Sequence, residues 1–204
     1  MIISENLKQI LPNIPKNVIL VAAVKYANDE QIKELIQNGI NNLGFNTHRQ
    51  LLQVKNFANA SFHFIGHLQR NKVKDILPFC ALIHSIDSIK LAKKISEEAA
   101  KIKKQQEILL QIKTDSHKEH GFEINEIKDA LKQISKMEHL SVKGLMTIPA
   151  QNEDARKVYR KLKQLKEELN LEELSMGMSN DYKTALEEGA TIVRIGRILF
   201  EPPN

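Results

Sequence analysis

Lys25 is the residue best placed for covalent chemistry. It closes an uninterrupted apolar run, residues 18–24, rich in β-branched side chains. Such a run reads as a strand buried on both faces. A cation at its end either faces a pocket or begins a solvated loop. In a pocket, desolvation lowers the lysine pKa, and the neutral amine attacks a carbonyl to form a Schiff base. A second group gathers towards the end of the chain, in Met176-Gly177-Met178-Ser179-Asn180-Asp181 and Val193-Arg194-Ile195-Gly196-Arg197. Gly196 lets an anion approach the backbone, and strand alternation points Arg194 and Gly196 to the same side. Ser179 offers a hydroxyl and can cap the helix that follows. Taken singly, Ser179 is a plain N-cap and Gly196 a plain turn. Together they occupy the two places where parallel barrels cradle phosphate, after strands seven and eight.

These residues need a scaffold that brings strand ends together. Eight short apolar runs alternate with amphipathic segments: 18–24, 42–45, 62–66, 81–86, 107–113, 142–148, 173–177 and 191–195. Between them, apolar residues recur at offsets of three and four. Examples are Ile89, Ala92, Ile95, Ala99 and Ile102, and Val158, Tyr159, Leu162, Leu165 and Leu169. Helix-start residues stand where they should, at Asn28-Asp29, Asp87-Ser88 and Asn152 with Asp154. Gly39 and Gly189 are placed as C-terminal caps. The pattern predicts an α/β fold, a (β/α)8 TIM barrel, as one domain over residues 1–204. Leu7, Ile10 and Leu11 predict a short extra N-terminal helix. An open doubly wound sheet is the alternative. Against it, Lys25-Tyr26-Ala27 follows the first strand where a dinucleotide fold has a glycine-rich turn.

In a barrel, functional groups collect at the C-terminal strand ends. Those ends carry Lys25, Asn46, His67 with Gln69 and Asn71, Asp87-Ser88, Thr147, Ser179, and Arg194 with Gly196 and Arg197. His63 and His67 lie four apart, but on a strand and turn rather than one helix face, and no second ligand pair accompanies them. No metal site is expected. His63 reads as a barrel-interior histidine, and His117 and His120 as solvent-facing residues around Gly121.

Composition narrows the class. The chain has 204 residues, one cysteine and a net charge of +5. One cysteine excludes an internal disulfide, and Cys80 lies in apolar sequence as a buried thiol. No signal peptide or membrane-spanning run is present in the sequence, so a cytoplasmic location is expected. The positive charges fall on helix faces beside acidic residues, as in residues 156–168. With no tryptophan, base-stacking platforms are few, and nucleic-acid binding is not expected.

In order along the chain stand Lys25 after its apolar strand, Leu43-Gly44-Phe45-Asn46, His63-Phe64-Ile65-Gly66-His67-Leu68-Gln69-Arg70-Asn71-Lys72, and Ile86-Asp87-Ser88. Gly144-Leu145-Met146-Thr147-Ile148-Pro149, Ser175-Met176-Gly177-Met178-Ser179 and Val193-Arg194-Ile195-Gly196 follow. This series resembles the pyridoxal phosphate homeostasis protein family, which looks like the alanine racemase N-terminal barrel standing alone. The resemblance covers nearly the whole chain. It implies that Lys25 forms the internal aldimine with pyridoxal 5′-phosphate. It implies that Ser179 and the backbone of Gly196 and Arg197 hold the phosphate. Arg194 would sit by the pyridine nitrogen, and Asn46 near the aldimine. His63, Asn71 and Met146 would line or support the pocket. Phe45 and Thr47 depart from the family's glutamate and tyrosine, implying a pocket that is more apolar on that side or a rearranged layer of residues behind it. Glu119 stands where a lysine is usual, and Glu201 where the closing glycine is usual.

The resemblance implies a protein that holds pyridoxal phosphate for homeostasis and delivery to apo-enzymes, with no catalytic residue. The alternative is a racemase-like enzyme. The sequence ends at Asn204 without the β domain that completes an alanine racemase site, and Tyr26 and Tyr182 are its nearest acid–base candidates. A Schiff-base aldolase ranks last, since such lysines lie on later strands. A monomer is expected, because the polar helix faces look complete.

Overall fold

The computed structural model describes residues 2–25, 27–57, 59–114, 120–150 and 153–202. Eight parallel strands close into a barrel in chain order. They are β1 Ile19–Ala23, β2 Asn42–Phe45, β3 Ser61–Phe64, β4 Cys80–Ile86, β5 Gln106–Gln111, β6 Leu140–Met146, β7 Glu173–Ser175 and β8 Ile192–Ile195. Closure is made by β1 against β8, in the register Ile19↔Ile192 to Ala22↔Ile195. Around the barrel lie α1 Ile2–Ile10, α2 Asp29–Gln37, α3 His48–Val54, α4 Val73–Ile76, α5 Ile89–Lys101, α6 Ile127–Ile134, α7 Ala155–Glu168, α8 Tyr182–Glu187 and α9 Arg197–Phe200.

Alternation along the strands divides the apolar residues into two cores. Val21, Ile65, Leu82, Leu109, Met146 and Ile192 fill the barrel interior. Leu20, Ala22, Leu43, Phe45, Phe64 and Val193 face outward and pack under the helices. The interior tolerates close backbone approach at particular points. At Gly144 an added Cβ would stand 1.9 Å from the Glu173 carbonyl oxygen, so only glycine lets β6 and β7 pair there.

The helices begin where local chemistry satisfies their free N–H groups. Asn28 and Gln31 form a capping box at α2, and Thr47 and Gln50 another at α3. Ser88 caps α5, and Asp154 accepts from Arg156 and Lys157 at α7. Gly39 and Gly189 end their helices at φ +83° and +90°. The N-terminal helix buries Ile3, Leu7 and Ile10. Its Asn6 amide donates to the carbonyls of Leu199 and Glu201, at 3.1 and 2.7 Å, tying it to α9.

The strands run up to two residues away from the predicted bounds. The sequence carries no helical period over α4 and α9, each only four residues long. Asn152 lies outside the described residues, as do Tyr26, His117 and Glu119.

Candidate functional site

A cavity of about 720 Å³ opens at the C-terminal end of the barrel, over β1, β2 and β6–β8. Lys25, Asn46, Ser179, Arg194, Gly196 and Arg197 all border it. Lys25 sits two residues beyond β1 and is exposed. Its place is fixed from a neighbouring loop. Gln50 donates through Nε2 to the Lys25 carbonyl at 2.8 Å. The same side chain accepts through Oε1 from the N–H groups of Asn46 and Thr47, at 3.1 and 3.3 Å. Gln50 thus stitches the ends of β1 and β2 together. The Thr47-x-x-Gln50 spacing of a capping box was the sequence signal for it.

The far side of the cavity is built by the loops after β7 and β8. Ser179 does not cap α8, contrary to the expectation. Its Oγ instead accepts from the Gly196 N–H at 3.3 Å. The turn into α8 is held by Asp181, whose Oδ1 accepts from Met178 N–H at 2.6 Å and whose Oδ2 accepts from the Tyr159 hydroxyl at 2.7 Å. Burial and that carboxylate push the Tyr159 phenol up, so it remains a donor. Gly177 turns with φ +90°, where an added Cβ would meet the Ala185 Cβ at 2.5 Å. Arg197 donates to Asn180 Oδ1 at 3.0 Å. A Cβ on Gly196 would lie 3.3 Å from both the Cβ and the carbonyl oxygen of Ala23, narrowing the cradle.

Arg194 forms the floor and is 4% exposed. Its Nη2 donates to the Thr147 carbonyl at 2.8 Å and its Nη1 to Ser175 Oγ at 2.6 Å. Burial lowers it to about 10, which leaves it charged at neutral pH. From Arg194 a polar chain descends through the apolar interior. Ser175 Oγ lies 2.8 Å from His84 Nδ1, His84 Nε2 lies 2.9 Å from His63 Nδ1, and His63 Nε2 lies 3.1 Å from Asn42 Oδ1. The two ends fix every proton. A guanidinium only donates and an amide oxygen only accepts. Ser175 therefore donates to His84, His84 donates through Nε2 to His63, and His63 donates through Nε2 to Asn42. Protonating His63 would set its Nδ1–H against the His84 N–H. Burial lowers His63 to about 4 and holds His84 well below its ordinary value, with Arg194 adding to the effect on His84. Both rings are neutral at pH 7.

His63 and Met146 belong to this interior rather than to the cavity wall. Asn71 lies in the 3₁₀ turn Arg70–Lys72, on another side of the barrel mouth. Phe45 is a correction. It is fully buried on the outer face of β2, edge-on to Phe62 at 5.6 Å, so it does not make the cavity more apolar. Glu201, just after α9, borders the cavity. His84, Ser175 and Gln50 were not foreseen. Tyr182 is buried and lies away from the cavity wall. His120, expected to face solvent, is partly exposed and stacks on His67.

The family profile for the alanine racemase N-terminal domain matches residues 2–202. The pyridoxal phosphate homeostasis protein of Aquifex aeolicus is 37% identical over 194 residues, covering 89% of this chain and 85% of that one. The protein of the same name from Pasteurella multocida is 32% identical, covering 98% and 97%. Among solved structures, PipY of Synechococcus elongatus PCC7942, with PLP bound, superposes with a TM-score of 0.91 at 28% identity, covering 98% of this chain and all of that one. An alanine racemase of Clostridium difficile 630 shares the fold at a TM-score of 0.79 and 16% identity, with 57% of its chain covered.

Proposed function

The chain belongs to the alanine racemase N-terminal domain family and, within it, to the pyridoxal phosphate homeostasis proteins, and on that premise we propose that it binds pyridoxal 5′-phosphate in the cavity above Arg194. We further propose that it holds the cofactor for intracellular homeostasis and delivery to apo-enzymes, as a cytoplasmic monomer without turnover of its own.

The donor set fits this ligand. Ser179 Oγ and the Gly196 N–H lie side by side with Arg197 adjacent, one hydroxyl, one backbone donor and one cation for a phosphate. Gly196 keeps that approach open, since a Cβ there would already press on Ala23. Among the described residues one amine, Lys25, borders the same cavity. The observation that carries the proposal is this pairing of Lys25 with an anion cradle across one cavity.

When bound, the cofactor supplies an electrophilic aldehyde and an electron-withdrawing ring. Lys25 would supply the amine to hold the cofactor through that aldehyde. Ser179, Gly196 and Arg197 orient the phosphate. Arg194 would offer only N–H donors to the ring and would not give up its proton to it. Asn46, held by Gln50, closes the side next to Lys25. Racemase chemistry needs a second acid–base group over the other face of the ring. Tyr182, one candidate for it, is the buried first residue of α8 and lies away from the cavity wall, which supports a holder rather than a racemase.

The test is borohydride reduction of the protein loaded with pyridoxal phosphate, followed by peptide mapping. The expected adduct is on Lys25, and Lys25→Ala should give none while keeping its circular dichroism spectrum. An adduct on another lysine, or equal trapping in the variant, would refute the assignment.

A further inference from the structure

Across the barrel mouth from this cavity, the loops after β3, β4 and β5 bring together His67, Asp87 and His120. We propose that these three residues bind a divalent transition-metal ion, zinc in the first instance. One ligand atom from each residue lies within 4.8 Å of those of the other two. Asp87 Oδ2 stands 3.2 Å from His67 Nδ1 and 3.6 Å from His120 Nδ1. In a tetrahedral site with zinc bonds of about 2.0–2.1 Å, neighbouring ligand atoms are about 3.3–3.4 Å apart. The two observed separations bracket that spacing. Two imidazoles and a carboxylate are the nitrogen and oxygen set that borderline cations prefer to magnesium or calcium.

Each ligand is held from behind. Ser88 Oγ donates to Asp87 Oδ1 at 3.0 Å and itself caps α5, so Oδ2 is left facing the imidazoles. This is the outer-shell support that metal carboxylates require. The His120 carbonyl accepts from Gln111 Nε2 at 3.3 Å, beside the bridge between Ile112 and Phe122. His67 follows Gly66, where a Cβ would stand 2.1 Å from the Asn46 carbonyl oxygen, so the backbone there has one route. The histidine rings stack with centroids 3.7 Å apart. Both side chains are more than 40% exposed, so they can tilt until their lone pairs converge on one ion. A surface groove of about 520 Å³, bordered by His67, Asp87 and Arg70, adjoins the cluster and leaves room for water on the metal. Three protein ligands and an open position form a site of the exchangeable kind.

The sequence hid this site. Its three ligands stand on three separate loops that only the closed barrel brings together.

The experiment is equilibrium dialysis of the chelator-treated full chain against zinc chloride, without pyridoxal phosphate, with metal counted by mass spectrometry. Wild type should take up one zinc per chain, with magnesium not competing. His67→Ala and His120→Ala should each weaken binding by at least about 10–100-fold, the range for loss of an outer-shell partner alone. His48→Ala, which touches only the separate His48–Asp75 pair, and Lys25→Ala should bind zinc like wild type. Cobalt should give visible absorption in wild type that is lost in both cluster variants. No zinc on the wild type, or equal affinity in His67→Ala and His120→Ala, would overturn the proposal.

Discussion

Acid should destabilise this protein through two histidines that cannot take up a proton where they sit. His63 is 4% exposed and His84 fully buried, and the one-way chain from Arg194 to Asn42 uses every ring nitrogen. In the unfolded chain His63 takes up a proton below its ordinary value of 6.5, whereas in the folded protein it does so only at about 4. Between those values the unfolded state binds more protons, so stability falls as the pH falls, and it is flat in this respect above 6.5. At about 1.4 kcal/mol per pH unit, the displacement corresponds to about 3 kcal/mol lost across the window. His84 is displaced in the same direction and adds to the loss. The assay is urea unfolding from pH 7.5 to 4.5, on wild type and on His63→Gln. Surface carboxylates titrate in both proteins, so the difference between the two curves isolates the chain. Glutamine cannot titrate, and its profile should be shallower by about 1.4 kcal/mol per pH unit. Parallel profiles would show that His63 does not carry the acid sensitivity, and the proton order assigned to the chain would be wrong.

Ser179→Ala should weaken affinity for pyridoxal 5′-phosphate by about 10–100-fold, from the 1.5–3 kcal/mol typical of a hydrogen bond to a charged group. It should barely change affinity for pyridoxal, which has no phosphate, and equal losses for both ligands in a titration would show that the phosphate lies elsewhere. Gly144→Ala should cost at least about 3 kcal/mol or prevent folding, because the new methyl meets the Glu173 backbone rather than a side chain that can yield. Gly39→Ala meets nothing within 4 Å and suffers only its φ of +83°, so its urea midpoint should move far less.

Much of the scaffold was readable because a parallel barrel writes itself as apolar runs at near-regular spacing. Asn42–Phe45 was delimited correctly, since Asn41 and Asn46 bound four residues that alternate cleanly between the two cores. The sixth strand was placed two residues late. Thr147 follows the strand, its N–H still donating to the Ser175 carbonyl, but its own carbonyl accepts from the Arg194 side chain. Short turns such as α9 carry no period to detect. Within the cavity, Lys25, Asn46, Ser179, Arg194, Gly196 and Arg197 could be found because barrel topology alone assembles strand ends. What topology does not supply is the partner of each side chain. Ser179 looked like a helix cap because it precedes a helix. Asp181 took that turn through its two carboxylate oxygens and left the hydroxyl to Gly196. The His84–Ser175 contact spans 91 residues and joins two polar residues embedded in apolar strands. Each residue betrayed only that it faced inward.

The direction of that buried chain bears on what the cavity can do. Every proton in it points away from Arg194, towards Asn42, so the guanidinium is fixed as a donor at its lower end. Its upper end faces the cavity with the same character, a cation that donates and cannot accept. An acid at this position would favour a protonated pyridine nitrogen and a strong electron sink. It could not be introduced by exchanging one side chain. A carboxylate there would compete with His84 Nδ1 for the single Ser175 proton, because Asn42 still fixes both imidazoles. The polar interior and the proposed holding function therefore constrain the same residue. Arg194 is buried at the cost of a lowered pKa, and the chain beneath it takes up its downward donor through Ser175.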